Sequence, residues 1–124
     1  MTTLAKVPAG RLRKGALRLR ARSDFERVRR EGKSWAHRLL VLVVYPNRLL
    51  VTRVGVAVGK KVGSAVVRNR AKRLMREAVR VHVARISPGY DLLLIARPAI
   101  VPVKMQQVAG ALEVLLRQAG LILQ

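Results

Sequence analysis

The chain has no cysteine, only four aromatic residues and only six acidic residues among 124. Without cysteine it can form neither disulfides nor thiolate metal sites. No stretch approaches the roughly 18 apolar residues of a spanning helix, and no basic segment followed by an apolar one resembles a secretory signal. The expected compartment is therefore the cytoplasm, with no membrane as a partner.

The shortage of acids contrasts with a large excess of bases. The chain carries 26 lysines and arginines, a formal net charge of +20 and a sequence pI near 12.0. This balance is typical of proteins that bind nucleic acid. The aromatic residues Phe25, Trp35, Tyr45 and Tyr90 are too few for a broad stacking surface, so contacts to the nucleic-acid backbone are expected to outweigh base reading.

Candidates for catalysis or metal binding are scarce. His37 and His82 lack a second ligand at a suitable spacing, and Glu77 is best interpreted as a salt-bridge partner of neighbouring arginines. The stretch VGKKVGS lacks the spacing of a nucleotide-hydrolysing phosphate loop. We predict no catalytic residue and no metal ligand in the protein. One alternative is a nuclease that acts alone through Glu77 and His82.

The order of elements predicts a single α+β domain with the sequence α-β-β-α-β-α. Residues 1–22 are expected to be a flexible basic tail, 23–119 the folded domain and 120–124 a C-terminal tail. Predicted strands cover 39–45, 54–58 and 92–96, and the first two are expected to be antiparallel because their connection is short. The strand-helix-strand crossover in the middle would be right-handed by default.

Three helices are predicted between these strands. The first begins with a capping box of Ser23 and Glu26 and ends at a left-handed Gly32. The second is capped by Ser64 and extends to about residue 85. The third covers about 103–119 and buries one face, which contains Val108, Ala109, Leu112, Leu115, Leu116 and Ala119.

The second helix contains VVRNRAKRLMREAVR, residues 66–80, and separates apolar from basic residues. At about 100° per residue, one stripe gathers Val67, Ala71, Leu74, Met75, Ala78 and Val81. The opposite side, here called the cationic face, gathers Arg68, Lys72, Arg73, Arg76 and Arg80 around Asn69. Repulsion between basic residues four apart costs about 1 kcal/mol in total, and a polyanion along this face would reverse its sign.

At this point the sequence resembles a known family. The segment VGKKVGSAVVRNRAKRLMREAVR is similar to the signature of the bacterial ribonuclease P protein subunit, with Arg68-Asn69-Arg70 as its RNR motif. LRLRARSDFERVRREGKS resembles the first helix of that family and GYDLLLIARP its last strand. The resemblance implies a ribosomal protein S5 domain 2-like fold with a mixed four-stranded sheet and a left-handed βαβ crossover.

The resemblance also implies a function. Members assist a catalytic RNA that removes the 5′ leader of precursor tRNA, and the active site with its Mg²⁺ belongs to the RNA. The protein would then be the monomeric subunit of a ribonucleoprotein endonuclease, with catalytic RNA and precursor tRNA as partners. The alternative is a ribosomal or other structural RNA-binding protein.

Residues are assigned by matching the family motifs. The implied RNA contacts are Lys60, Lys61, Arg68, Asn69, Arg70, Lys72, Arg73 and Arg76, and the helix pattern adds Arg80. The implied leader cleft lies between the first helix and the sheet, at Phe25, Arg29 and Val43. Family members often have aromatics where this chain has Arg29 and Val43, so a salt bridge from Arg29 is expected to replace stacking there.

Overall fold

A five-stranded mixed sheet forms the centre of the protein in a computed structural model that describes residues 17–123. One helix covers one face of the sheet and two helices cover the other. The elements are β1 (Leu17–Arg18), α1 (Arg22–Glu31), β2 (Lys33–Ala36), β3 (Leu40–Pro46), β4 (Arg53–Ala57), α2 (Ala65–His82), β5 (Tyr90–Ala96) and α3 (Met105–Gln118). Short 3-10 turns lie at Lys60–Val62, Val83–Arg85 and Pro98–Ile100.

The strands are ordered β1-β4-β5-β3-β2 across the sheet. β1, β4 and β5 are parallel to one another, whereas β3 is antiparallel to both of its neighbours. The predicted strands 39–45 and 54–58 therefore run in opposite directions, but β5 lies between them and they do not pair. β4, α2 and β5 form the predicted crossover, whose handedness stays a prediction.

The α+β class is confirmed, but the described residues contain five strands rather than four. β2 was missed because Lys33-Ser34-Trp35-Ala36 is short, contains no β-branched residue and is exposed on three of its four residues. It is an edge strand that pairs only with β3, so just one of its edges has a partner strand. Such a strand is stabilised by its neighbour and not by its own composition.

The predicted caps of α1 are wrong, although the helix does end at Glu31, directly before Gly32. The helix begins at Arg22 after Ala21, and no side chain caps its N-terminus, so Ser23 and Glu26 do not form the capping box. Gly32 has a φ of −76° and is not left-handed. Position 32 requires glycine for another reason: a Cβ there would lie 2.6 Å from the Val28 carbonyl oxygen and 2.8 Å from Val43 Cγ1.

The predicted N-terminus of α2 is confirmed, since Ser64 Oγ accepts a hydrogen bond from the Val67 N–H at 3.4 Å. The α-helix ends at His82 and continues as a 3-10 turn to Arg85, so its predicted end is close. Its buried stripe is partly wrong: Val81 is 55% exposed, whereas Val79 and His82 are buried.

Two hydrophobic cores of unequal size hold the layers together. The larger one packs α2 and α3 against the sheet face that carries Leu40, Leu42, Leu92 and Leu94. On α3 it includes the predicted Val108, Ala109, Leu112, Leu115 and Leu116, with Ala119 partly buried at its border. The smaller core lies on the other face under α1 and consists of Leu19, Val28, Val43 and Leu93.

The folded domain is longer than predicted at both ends. Residues 17–22 do not form a tail, because β1 pairs with β4 and Leu19 is buried. Residues 120–123 are not a tail either: Leu121 is buried, and Ile122 bridges to Ile86. The remainder of the predicted N-terminal tail, residues 1–16, lies outside the described residues.

Across residues 17–123, no helix is long and apolar enough to cross a membrane.

Candidate nucleic-acid interface

The cationic face of α2 points away from the sheet, as the helical period predicted. Arg73, Arg76 and Arg80 are exposed together with Asn69, and Arg68 and Lys72 are half-buried along one flank. The buried stripe, which includes Ala71, Met75 and Ala78, faces the larger core. The face is therefore a continuous outward strip of positive charge about three and a half helical turns long.

Arg70 lies outside this strip, at the border of α2 that faces the loop before α3. Its Nη1 and Nη2 donate hydrogen bonds to the carbonyl oxygens of Val101 and Val103, at 3.0 and 3.1 Å. The second arginine of the RNR motif thus has a structural role, besides any contact that it makes to RNA. Arg68, the first arginine of the motif, has a buried Nε without a hydrogen-bond partner among residues 17–123.

The two lysines before α2 are exposed at the beginning of the 3-10 turn Lys60–Val62. Val62 is buried in the larger core and fixes the turn. Lys60 and Lys61 therefore extend the basic surface beyond the N-terminal end of α2, toward the end of β4.

All six carboxylates of the chain are engaged within the protein. Asp24 pairs with Arg27 and Arg53, Asp91 with Arg53, Glu26 with Arg22, Glu31 with Arg30, Glu77 with Arg80, and Glu113 with Arg117 and Arg85. Only the pair between Glu77 and Arg80, at 3.7 Å, involves the cationic face. The rest of this face has no internal counter-charge among residues 17–123, so an external polyanion can neutralise it.

The cleft residues lie on α1 and on the sheet face below it. Phe25 packs over Gly55 of β4, where its ring atom Cε1 would lie 2.6 Å from a Cβ. Val43 is only 4% exposed and faces α1 in the smaller core. Arg29 is exposed. The structure thus leaves Val43 little surface for a ligand, and contact with the leader at these three residues stays a prediction.

Arg29 lies on the flank of α1 opposite to Asp24 and Glu31, at the 100° spacing of a helix. Asp24 contacts Arg53 on one strand and Glu31 contacts the hydroxyl of Tyr45 on another, both toward the same end of the sheet. Arg29 therefore flanks the other end. There the registers place Val41, Ile95 and Ala57 side by side on three neighbouring strands.

These three side chains are half-buried and form what we call the cleft floor, Val41, Ile95 and Ala57. They were not predicted as site residues, although the alternation of the strands could have assigned them to one face. They are neighbours only because β5 lies between β3 and β4 in the sheet, and local sequence does not encode this order.

Arg18 and Arg20 were also missed, because they were assigned to the flexible tail. They line one small cavity together with Phe25 and Arg76. The pKa of Arg76 lies below its usual value, first because of burial and second because of the positive charge of Arg18.

Most of the aromatic side chains lie elsewhere. Trp35, Tyr45 and Tyr90 line a separate cavity of about 360 Å³ beside Glu31 and Lys33, near the β2 edge of the sheet. Tyr45 also packs against the smaller core under α1, but at the end of the sheet away from the cleft floor, so Phe25 is the aromatic residue at the predicted cleft positions. This arrangement agrees with a surface that contacts RNA backbone more than bases.

The residues of the alternative nuclease do not form a site. His82 is 4% exposed, and its Nε2 donates to the carbonyl oxygen of Ala109 at 2.8 Å while Nδ1 accepts from Arg85 at 3.0 Å. These partners fix the orientation of the imidazole inside the core, although a surface or boundary position was predicted. Glu77 lies about 140° away around the helix. Residues 17–123 contain no group of three potential metal ligands among His, Asp and Glu.

Comparison with known proteins points to one family. Residues 14–120 match the family described as Ribonuclease P. The ribonuclease P protein component of Roseiflexus castenholzii is 43% identical over 110 residues, which cover 88% of this chain and 90% of that protein. The one from Clostridium perfringens is 47% identical over 112 residues, with 85% and 90% covered.

Solved structures agree with the sequence match. The ribonuclease P protein of Staphylococcus aureus superposes with a TM-score of 0.72 at 32% identity, covering 86% of this chain and 98% of that one. The protein of Thermotoga maritima, solved with 1-(4-fluorophenyl)-2-thiourea, gives a TM-score of 0.73 at 34% identity, with 80% and 97% covered.

Proposed function

Because the chain belongs to the ribonuclease P protein family, we propose that its cationic face binds the catalytic RNA and that its cleft guides the 5′ leader of precursor tRNA. The protein is the subunit of a ribonucleoprotein endonuclease that produces the mature 5′ end of tRNA. The observation that carries the proposal is the outward strip on α2, whose charge the carboxylates of residues 17–123 leave largely unpaired.

The physical role of the protein is to reduce repulsion between two polyanions. Catalytic RNA and precursor tRNA must approach closely, and about six to ten cationic contacts release counterions from both. Lys60, Lys61 and the cationic face supply such contacts along one side of the fold. Substrate binding should therefore tighten more than the cleavage step accelerates.

Hydrolysis belongs to the RNA in this proposal, and Mg²⁺ held by the RNA and the substrate supplies charge neutralisation and an activated water. The protein side chains hold the leader strand of the substrate in position and so limit the conformations that the leader can adopt. We propose that the protein alone is a monomer, kept apart by its net charge of +20, and that it works in the cytoplasm.

The leader is proposed to cross the cleft floor with Arg29 beside it. Val41, Ile95 and Ala57 offer an apolar surface on which bases can rest without sequence preference. Arg29 and the neighbouring Arg22 flank it on α1, and both are exposed. A phosphate held by Arg29 then replaces the stacking that aromatics provide in other members.

The test is single-turnover cleavage of precursor tRNA by the cognate RNA over a series of Mg²⁺ concentrations, with and without the protein. We expect tighter substrate binding and a lower Mg²⁺ requirement when the protein is present. Identical curves would contradict the proposal. RNA recovered with the tagged protein from cells should be ribonuclease P RNA; recovery of ribosomal RNA in its place would favour the structural RNA-binding alternative.

The cleft has its own test. Arg29→Gln should weaken binding of a precursor with a long leader about two- to fivefold, the value of one exposed ionic contact. Binding of a precursor with a one-nucleotide leader should not change. Arg30→Gln is the matched control, since Arg30 is exposed on the outer side of α1 beside Glu31. Equal losses for both leaders would contradict a leader contact at Arg29.

A further inference from the structure

A notch opens at the edge of β4, on the side of the sheet where β1 ends. It is a cavity of about 230 Å³, and its lining comes from four separate parts of the chain. The lining includes Arg18, Arg20, Phe25, Gly55, Val56 and Arg76. The notch connects the side of the sheet that carries α2 with the side that carries α1.

Three guanidinium groups face this notch without a counter-charge. Arg18, Arg20 and Arg76 make no salt bridge with any carboxylate of residues 17–123, because all six are paired with other bases. Residues 1–16 contain neither aspartate nor glutamate, so that segment has no acidic side chain to offer. Burial and the charge of Arg18 both lower the pKa of Arg76, which is the response expected of an arginine close to like charge.

The backbone at the notch adds a donor. Successive residues of a parallel strand direct their N–H and C=O groups to alternate sides. The Val54 carbonyl accepts from the Leu19 N–H at 2.9 Å on the outer side, so Val56 also directs its N–H outward. Among the described residues β1 ends before it reaches Val56, since its register stops at Arg18 and Val54.

Packing at Gly55 and Leu19 holds the backbone around the notch in place. Gly55 lets the ring of Phe25 lie against the strand, since a Cβ at this position would be 2.7 Å from Phe25 Cζ. Leu19 is buried in the smaller core and holds the segment between Arg18 and Arg20 against the sheet. The positions from which the two arginines extend are therefore fixed before any ligand arrives.

We propose that this notch binds a phosphate group of an RNA strand, held by Arg18, Arg20, Arg76 and the N–H of Val56. Guanidinium groups and backbone N–H groups are the donors that phosphate oxygens prefer. The strand would pass around the β4 edge, from the cationic face on one side of the sheet to the cleft on the other. The identity of the strand rests on the proposed function, whereas phosphate binding itself does not.

Binding is tested by NMR on the whole protein. Inorganic phosphate and a five-nucleotide uridine RNA are titrated separately at constant ionic strength, and the amide signal of Val56 is followed. We expect both ligands to shift this signal, and the RNA to compete with phosphate. An unmoved Val56 signal would overturn the site, and phosphate binding that the RNA does not displace would overturn the assignment to an RNA strand.

The arginines are tested with a matched pair of double variants. Arg18→Gln with Arg20→Gln should weaken binding of both ligands about tenfold, as expected for the loss of charge-assisted hydrogen bonds. Arg30→Gln with Lys33→Gln removes the same charge near β2, which is the edge strand opposite to β1. This control should change binding less than twofold. Equal losses in the two doubles would show a general charge effect and overturn the notch.

Cleavage by the reconstituted holoenzyme separates this inference from the proposed function. If the wild-type protein does not stimulate the RNA, the proposed function fails. If the wild-type protein stimulates and both doubles stimulate equally well, the role of the notch in RNA binding fails alone. We expect stimulation by the wild type and the control, and reduced substrate affinity for the notch double.

Discussion

Arg70 belongs to the RNR motif and also makes hydrogen bonds that stabilise the fold. Its guanidinium bridges the carbonyl oxygens of Val101 and Val103 and so ties α2 to the loop that leads into α3. A guanidinium has five N–H donors, and only two of them are occupied here. Arg70 can therefore hold the loop and contact a phosphate at the same time, whereas a lysine ammonium lacks the planar fork for both.

Arg70→Lys should lower the free energy of unfolding by about 1 kcal/mol, because at least one of the two hydrogen bonds to the loop is lost. Arg73→Lys is the control, since Arg73 is exposed on the same helix, and it should leave stability unchanged. Urea unfolding midpoints of the two variants give the comparison. Equal midpoints would mean that the loop contact contributes nothing.

Asp91 is the most deeply buried carboxylate of the protein, at 1% exposure. Arg53 donates to both of its oxygens, at 2.8 and 2.7 Å, and Asn47 donates to one of them at 2.9 Å. The hydrogen bonding of Arg53 to Asp91 is the largest cause of the raised pKa of Arg53. This group ties the start of β4 to β5 and, through Asp24, to α1.

Asp91→Asn should therefore lower the free energy of unfolding by about 3 kcal/mol, because it leaves Arg53 partly buried with a weakened partner. Glu77→Gln removes a half-exposed carboxylate that pairs with Arg80 at 3.7 Å, and it should change stability by less than about 0.5 kcal/mol. Chemical denaturation of both variants is the measurement. A loss as small for Asp91→Asn as for Glu77→Gln would contradict the role of this group.

At the scale of elements, α2 carries repulsion that RNA relieves. Replacing Arg68, Lys72 and Arg76 together with glutamine should weaken RNA binding and lower the slope of log affinity against log salt by up to about three. The isolated protein should not lose stability, because the repulsion between residues four apart disappears. RNA affinity as a function of salt, with thermal unfolding of the same samples, tests both parts. A collapsed fold with unchanged affinity per folded molecule would contradict the assignment of this face.

The C-terminal part of the fold has a pH-sensitive contact on α3. Glu113 accepts from Arg117 at 2.9 Å and lies 3.9 Å from Arg85, and these partners lower its pKa below the ordinary 4.5, the hydrogen bond from Arg117 most of all. A lowered pKa in the folded state stabilises the protein above the ordinary value, and this contribution is lost as the pH falls through the folded-state pKa.

Glu113→Gln should therefore reduce stability near neutral pH and have little effect well below pH 4.5. Unfolding midpoints of the variant and the wild type at several pH values between these limits provide the measurement. A difference that stays constant down to the lowest pH would mean that the contact does not depend on the charge of Glu113.

The helices and strands show which features of the fold the sequence patterns could predict. The period of α2 predicted Ala71, Leu74, Met75 and Ala78 as buried and most of the cationic face as exposed, because burial and solvation at these positions follow helix geometry. Val81 was misplaced, since α3 packs against only part of the arc and the core accepts His82 in its place. β2 and the insertion of β5 between β3 and β4 could not be predicted, because they depend on pairing between distant segments.

The same limit applies to the interface. Positive charge on one helix face can be read from residues four apart. The notch cannot be predicted from the sequence in this way, because its residues Arg18, Gly55 and Arg76 come together only in the folded protein. The cleft floor likewise needs the strand order.

At the scale of the whole molecule, the two faces of the sheet differ in how firmly they are covered. The face under α2 and α3 holds the larger core. In contrast, α1 rests on the smaller core, on the ion pair between Asp24 and Arg53, and on the hydrogen bond that the Tyr45 hydroxyl donates to Glu31. Segments with few buried contacts open at lower free energy than the global unfolding transition.

Native-state hydrogen exchange should therefore divide the protein into two cooperative units. The amide of Val28 should exchange through a partial opening, whereas the amides of Met75 and Leu112 should exchange only with complete unfolding. A single opening free energy for all three would contradict this. If α1 separates from the sheet in this way, a polynucleotide strand could be seated from the side while the rest of the molecule remains folded, without being threaded end first.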